Sequence, residues 1–158
     1  MINMNFFIYT KRTLQTLFTC LFIFCFSVLS SAAQDAKLIV VTNVKGCPTE
    51  ISFKLLKSVY KGELQRWNTG LKIEIALMKS NTSAGSAIAK KVYNLTPDQV
   101  NTFWTSLIFS GKANPPKIFE TTSELEIWVG KHPGAIGIVE VTDESILKPI
   151  LVDGKDSF

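Results

Sequence analysis

Residues 72–93 constrain the fold more than any other stretch, because two different periodicities meet there across a short polar turn. From Lys72 to Met78 the chain alternates, with Ile73, Ile75 and Leu77 on one side and Lys72, Glu74, Ala76 and Met78 on the other. That is the period of a strand. Ile88, Ala89, Val92 and Tyr93 then recur at helical spacing. Between the two lies Lys79-Ser80-Asn81-Thr82-Ser83-Ala84-Gly85-Ser86. The first N–H groups of a helix have no intrahelical partner and its dipole end is positive, so such a turn is a physical anion site. The same hydroxyls serve equally as caps, and spacing alone favours Thr82 or Ser83 as a plain N-cap.

The first 33 residues ask to be set aside before the fold is read. Lys11 and Arg12 precede an almost wholly apolar run, Leu14 to Leu29, and Ser31-Ala32-Ala33 follows with small residues. This is the layout of a secretory signal peptide, residues 1–33. The apolar run falls short of the roughly 20 residues needed to span a bilayer. Neither Cys20 nor Cys25 has the small neighbours that lipid attachment requires. Cleavage after Ala33 leaves one domain, residues 34–158, in the periplasm or outside the cell. Of the three cysteines only Cys47 remains, so no internal disulfide forms and the fold must stand on its core. Lys45 is the one basic neighbour, and Cys47 reads as an inert small apolar residue.

Charge excludes one class of partner. Both basic residues of the first 33 are lost with the leader, which takes the formal net charge from +4 to +2. The remaining lysines are scattered, and Lys54, Lys57 and Lys61 have the spacing of a solvated helix face. No dense basic patch of a nucleic-acid binder is present.

Taken in order, the chain alternates strand and helix. Leu38-Ile39-Val40-Val41 is a continuous β-branched run of the kind buried on both faces in parallel sheets. Thr49 is an expected N-cap for a helix carrying Ile51, Leu55, Leu56, Val59 and Tyr60, closed by Lys61-Gly62. The helix after the hydroxyl turn is expected to stop at Asn94. Thr96-Pro97-Asp98-Gln99 is a capping box with proline at the first helical position. Val100, Phe103, Trp104, Leu107 and Ile108 then form a core face up to Gly111. Lys112 to Phe119, with Pro115-Pro116, is an extended connector. Thr121 to Glu124 repeats the capping spacing before Leu125, Trp128 and Val129. Lys131-His132-Pro133-Gly134 is a turn, Ala135 to Val141 a strand and Leu147 to Val152 the last strand. Asp143-Glu144 reads as solvated turn, and Asp153, Lys155 and Asp156 as a soluble tail. The short-loop alternation predicts a three-layer α/β domain.

Catalytic and metal signatures are missing. His132 is the one histidine, there is no His-Glu-x-x-His and no Walker lysine, and the mature chain has no paired cysteine. The pattern points away from an enzyme and to no cofactor or metal; a hydrolase using a serine or Cys47 with His132 is the weakest reading. The sequons at Asn81-Thr82-Ser83 and Asn94-Leu95-Thr96 are read as chance matches.

Several stretches together resemble the phosphate substrate-binding proteins of ABC transporters, and especially a short, half-length group related to them. Leu55 to Trp67 is similar to a segment ending Gly-Lys…Trp in that family. Lys79 to Ser86 falls where the family carries its Ser-Gly-Thr phosphate loop, with Thr82 best placed to match the serine. Phe103-Trp104 to Lys112, followed by Pro115-Pro116, resembles a segment of the short group, and Pro133-Gly134-Ala135-Ile136-Gly137 resembles a Pro-Gly-Ala-Ile-Gly-Tyr loop, with Ile138 in the tyrosine's place. Two departures stand out. The family's arginine before the loop is replaced by Met78-Lys79, and no glycine separates Thr82 from Ser83. Lysine carries charge but not a bidentate fork.

The resemblance implies a three-layer periplasmic-binding-protein-like single lobe with a mainly parallel or mixed sheet. It implies a small oxyanion such as phosphate held by Lys79, Ser80, Asn81, Thr82 and Ser83. The alternative it leaves is a lobe that has lost its ligand and acts as an interaction or sensor-accessory module. A membrane permease, a sensor, a porin or a second copy would then be its partner.

Overall fold

The computed structural model describes residues 36–142 and 145–158. The signal-peptide reading of residues 1–33 and the solvated-turn reading of Asp143-Glu144 fall outside the described residues.

Six strands form one sheet: β1 (Leu38–Thr42), β2 (Glu50–Ile51), β3 (Glu74–Met78), β4 (Lys117–Phe119), β5 (Ala135–Glu140) and β6 (Pro149–Val152), in spatial order β2-β6-β1-β5-β3-β4. Four helices accompany them: α1 (Phe53–Tyr60), α2 (Ser83–Ile88), α3 (Pro97–Phe109) and α4 (Thr122–Lys131). Helix α2 runs on without a break into one π-helical turn, Ala89–Tyr93.

The sheet is mixed in a specific way. β3 is parallel to β4 and to β5, and β2 is parallel to β6. β1 is antiparallel to both of its neighbours, with Val40 opposite Ile138 and Ile150. Five strands therefore run one way and β1 alone runs the other. The continuous apolar run at 38–41 was expected to mark a parallel strand, and that expectation is corrected. What such a run records is burial on both faces: all five residues of β1 are buried.

Helices cover both faces. A Cβ at Gly137 would meet Leu125 and Val129 of α4, so that side of β5 faces α4. The flanking Ile136 and Ile138 point to the other face and are fully buried there, on the side of α2 and its π-helical turn, against which α1 and α3 pack. Each large aliphatic side chain so enclosed contributes about 1.5–3 kcal/mol relative to exposure.

Local signals explain the element ends. The Thr96 hydroxyl accepts from the Gln99 amide, and the Gln99 side chain accepts from the Thr96 amide, so the capping box is closed. Thr121 Oγ1 accepts from Glu124 N at 3.3 Å. Asn94 ends the second helical run in the left-handed conformation at φ 56°. Gly134 turns at φ +86°, and a Cβ there would also strike the Lys72 carbonyl.

Four expectations shift. The cap of α1 is Ser52, not Thr49; residues 50–51 are instead taken by β2, which satisfies its backbone on β6. The connector after Gly111 contains edge strand β4. Ile108, placed on the core face of α3, is 39 % exposed because nothing covers the helix beyond the sheet edge. The C-terminal residues are not a free tail: Asp153 Oδ1 accepts from Phe53 N, and the Phe158 ring packs on Phe53 at 5.2 Å.

Candidate functional site

The turn between β3 and α2 sits at the C-terminal ends of parallel strands. β3 runs out at Met78, and Lys79 N still donates to Phe119 O of β4 at 2.8 Å. β4 then leads directly into α4. Two helices thus begin just past the ends of two neighbouring parallel strands, where open α/β sheets bind ligands.

Thr82 closes the turn. Its amide and its hydroxyl both donate to the Lys79 carbonyl, at 3.0 and 2.7 Å. The same hydroxyl accepts from Gly85 N at 3.0 Å and so caps α2. A hydroxyl has one proton, so Thr82 Oγ1 has no donor left to offer an anion in this arrangement. Ser86 N takes the Thr82 carbonyl. Among the described residues, no hydrogen bond uses the amides of Ser83 and Ala84. Ser83 is exposed, whereas Ala84 is buried.

The other predicted residues surround this point. Asn81 is exposed and has no hydrogen bond among the described residues. Ser80 Oγ accepts from Asn101 Nδ2 of α3 at 3.2 Å, and Ser86 Oγ donates to Ser80 O. Lys79 Nζ lies 2.5 Å from Glu120 Oε1. That hydrogen bond, and the ammonium charge behind it, hold the Glu120 carboxyl below its ordinary range. Glu120 joins the setting unannounced by any sequence signal, because only the β3–β4 pairing brings it to Lys79.

Gly85 is the residue the sequence reading missed. A Cβ there would stand 2.1 Å from the Lys79 carbonyl oxygen and 3.1 Å from Ser80 Cα. The turn is wrapped over a position only glycine fits. The glycine of this stretch stands three residues after Thr82, where it serves close packing rather than separating two hydroxyls.

Beneath Ser80 the turn borders a cleft of about 260 Å³ between α2, α3 and the β4 edge. Its walls are mainly carbon, and of the polar atoms on its wall residues Trp104 and Tyr93, Trp104 Nε1 donates to Tyr93 Oη at 2.9 Å, which leaves the Tyr93 proton as the one donor of that pair.

Cys47 and His132 do not form a reactive pair. Cys47 Sγ donates to Ala135 O at 3.7 Å, and burial pushes its pKa up. His132 is half-buried: its ring stacks on Trp128 at 4.2 Å, and its Nδ1 lies 2.7 Å from the Trp128 carbonyl. Among the described residues no cluster of His, Cys, Asp and Glu could hold a metal ion, and no helix is long and apolar enough to cross a membrane.

No protein-family model and no curated protein matches the chain. Solved structures do match. An ABC-type phosphate transport receptor from Vibrio cholerae superposes with a TM-score of 0.50 at 19% identity, covering 77% of this chain and 49% of that one. PstS from Borrelia burgdorferi gives 0.50 at 18%, covering 67% and 42%. A putative phosphate ABC transporter substrate-binding protein from Clostridium perfringens, with bound phosphate, gives 0.50 at 16%, covering 76% and 47%. The chain spans about half the length of each. At these identities the likeness speaks to architecture: the chain has the fold of a single α/β lobe of the kind found in phosphate ABC transporter substrate-binding proteins.

Proposed function

We propose that this chain is an exported, non-enzymatic solute-binding lobe that takes a small oxyanion, phosphate or a close analogue, at the turn between β3 and α2. The observation that carries the reading is the pair of amides at Ser83 and Ala84, which no hydrogen bond uses, at the start of a helical run and at the C-terminal end of a parallel strand. The Ser83 hydroxyl and the Asn81 amide are the side-chain donors beside them. Thr82 holds the turn in shape, and Ser80 is tied to Asn101. Lys79 supplies charge, offset by Glu120, so the setting is close to neutral and affinity is modest. Micromolar binding needs about 8 kcal/mol. A helix start contributes roughly 0.3–1 kcal/mol, and charge-assisted hydrogen bonds weaken in open water. A single lobe therefore binds in the millimolar to high-micromolar range unless another surface closes over it.

Titration calorimetry with phosphate and with sulfate tests this, using the protein and its Ser83→Pro variant. Proline is compatible with the first helical position, and Thr82 already has the extended backbone (φ −87°, ψ 160°) that a following proline requires. The variant removes one open amide and one hydroxyl while leaving the cap in place. Heat with either anion that disappears in Ser83→Pro supports the reading; no heat at millimolar anion refutes it.

A second reading, a lobe used as an interaction module, draws on Phe109, which is 88% exposed at the end of α3, and on Ile118 at the sheet edge. A permease, a sensor or a porin is the partner class. Loss of a co-purifying partner in Phe109→Asp, with anion binding intact, would favour it over the first.

A further inference from the structure

Resting on the oxyanion reading of the turn, we infer that the ligand is not a bare anion but one carrying a compact apolar group, and that this group occupies the cleft beneath Ser80. The cleft begins where the turn ends: Lys79, Ser80 and Gly85 form part of its lining, and Asn101, which donates to Ser80, lies on its rim. Farther in it is bounded by Leu77, Ile88, Val100 and Trp104. A polar ligand would need several polar partners at that depth, and among the side chains there only the Tyr93 hydroxyl proton is left to give. Trp104 spends its N–H on the Tyr93 oxygen, and among the described residues no buried side-chain nitrogen or oxygen lacks a partner. A wall this poor in free donors and acceptors favours carbon, since a buried polar group without a hydrogen bond is penalised. The polar chemistry is gathered at one end, with Lys79 as its cation and the Asn101 amide and Ser80 hydroxyl beside it. An anion with an apolar body matches that polarity: its head at the turn, its body inward.

Size narrows the class. About 260 Å³ is below the usual range of roughly 300–1,000 Å³ for drug-sized ligands. It suits a single aromatic ring or a short branched chain rather than a long acyl tail. Both ends of the cleft are lined by residues of this chain. The apolar group would therefore give this half-length chain an affinity that the exposed turn alone lacks.

The test compares phenyl phosphate, inorganic phosphate and toluene by calorimetry, with the Trp104 indole N–H resonance followed by NMR. Phenyl phosphate should bind at least about tenfold more tightly than inorganic phosphate, the increment expected from enclosing a ring, and should shift the Trp104 signal. Thr105→Phe, an exposed residue at the rim, should bring the ratio of the two phosphates to about one. Ile118→Phe, on the opposite wall, should act in the same direction. Equal affinity for the two phosphates, with Trp104 unmoved, overturns this inference and leaves the oxyanion reading standing. Toluene binding as tightly as phenyl phosphate overturns the link between head and body. Absence of binding by both phosphates overturns the inference together with the reading it rests on.

Discussion

Position 85 lies so close under the Lys79 carbonyl that an added Cβ would stand 2.1 Å from its oxygen. The obstacle is backbone rather than a flexible side chain, so it cannot swing aside. Gly85→Ala should destabilise the protein by about 1–3 kcal/mol, the usual range for overpacking. Chemical denaturation would read this as a lower midpoint at unchanged slope. The same change should displace Lys79 and Ser80 outward and weaken any anion binding at the turn. An alanine variant as stable as the parent would show that the wrap is loose.

Thr82 separates architecture from ligand binding. Thr82→Ala removes the hydroxyl that caps α2 and should cost about 1 kcal/mol, whereas Thr82→Ser should retain most of the stability. Because the hydroxyl proton is already given to the Lys79 carbonyl, any loss of anion affinity in Thr82→Ala should track the loss of stability. A variant of full stability that no longer binds would instead make Thr82 a direct ligand.

Glu126 is 1% exposed and holds the segment before β6 with both oxygens. Oε1 accepts from Ser145 Oγ, and Oε2 accepts from Ile146 N at 2.7 Å. Glu126→Ala strips the Ile146 amide of its partner. Ile146 is exposed, so water can take over its amide, and the cost should be about 0.5–1.5 kcal/mol, the net worth of an ordinary hydrogen bond. Hydrogen exchange at Ile146 should accelerate first and most, while exchange in β3 should change little.

Alkaline stability should be limited by two phenols. Burial raises the pKa of Tyr60 and of Tyr93 above the ordinary value of 10.0, outweighing the Trp104 hydrogen bond that pulls Tyr93 the other way. A folded-state pKa above the unfolded one stabilises fully below the unfolded value. That contribution is lost as pH rises from about 10 toward the raised folded values. Unfolding free energy should therefore fall above pH of about 10, and phenolate absorbance from these two residues should appear with unfolding rather than before it. Early ionisation in the folded protein would contradict their enclosure.

What the sequence disclosed depended on whether the signal was local. The capping box at Thr96–Gln99, the stop at Asn94 and the turn at Gly134 are decided within a few residues, and each was readable. The direction of β1 was not, because partners about a hundred residues away set it while its composition reports only burial. β4 was hidden by Pro115-Pro116, which read as connector although proline is at home beside an edge strand. Thr82 as a cap was legible from its spacing. Gly85 was not legible as a packing residue, since its reason is a carbonyl six positions earlier that folds back over it. Glu120 needed the sheet before it could meet Lys79.

The direction of β1 also has a consequence in time. Among the described residues its partner strands are β5 and β6, the last two in sequence. A ribosome emitting this protein releases Leu38–Thr42 early and the residues that pair with it near the end. Until then five consecutive apolar or β-branched residues have no sheet to join, and long-range pairing of this kind is slow and exposed to aggregation. Completion of the sheet is thereby deferred until the C-terminal strands are available. Truncating the chain before Pro149 should leave β1 short of one neighbour and trap a species that clumps rather than folds.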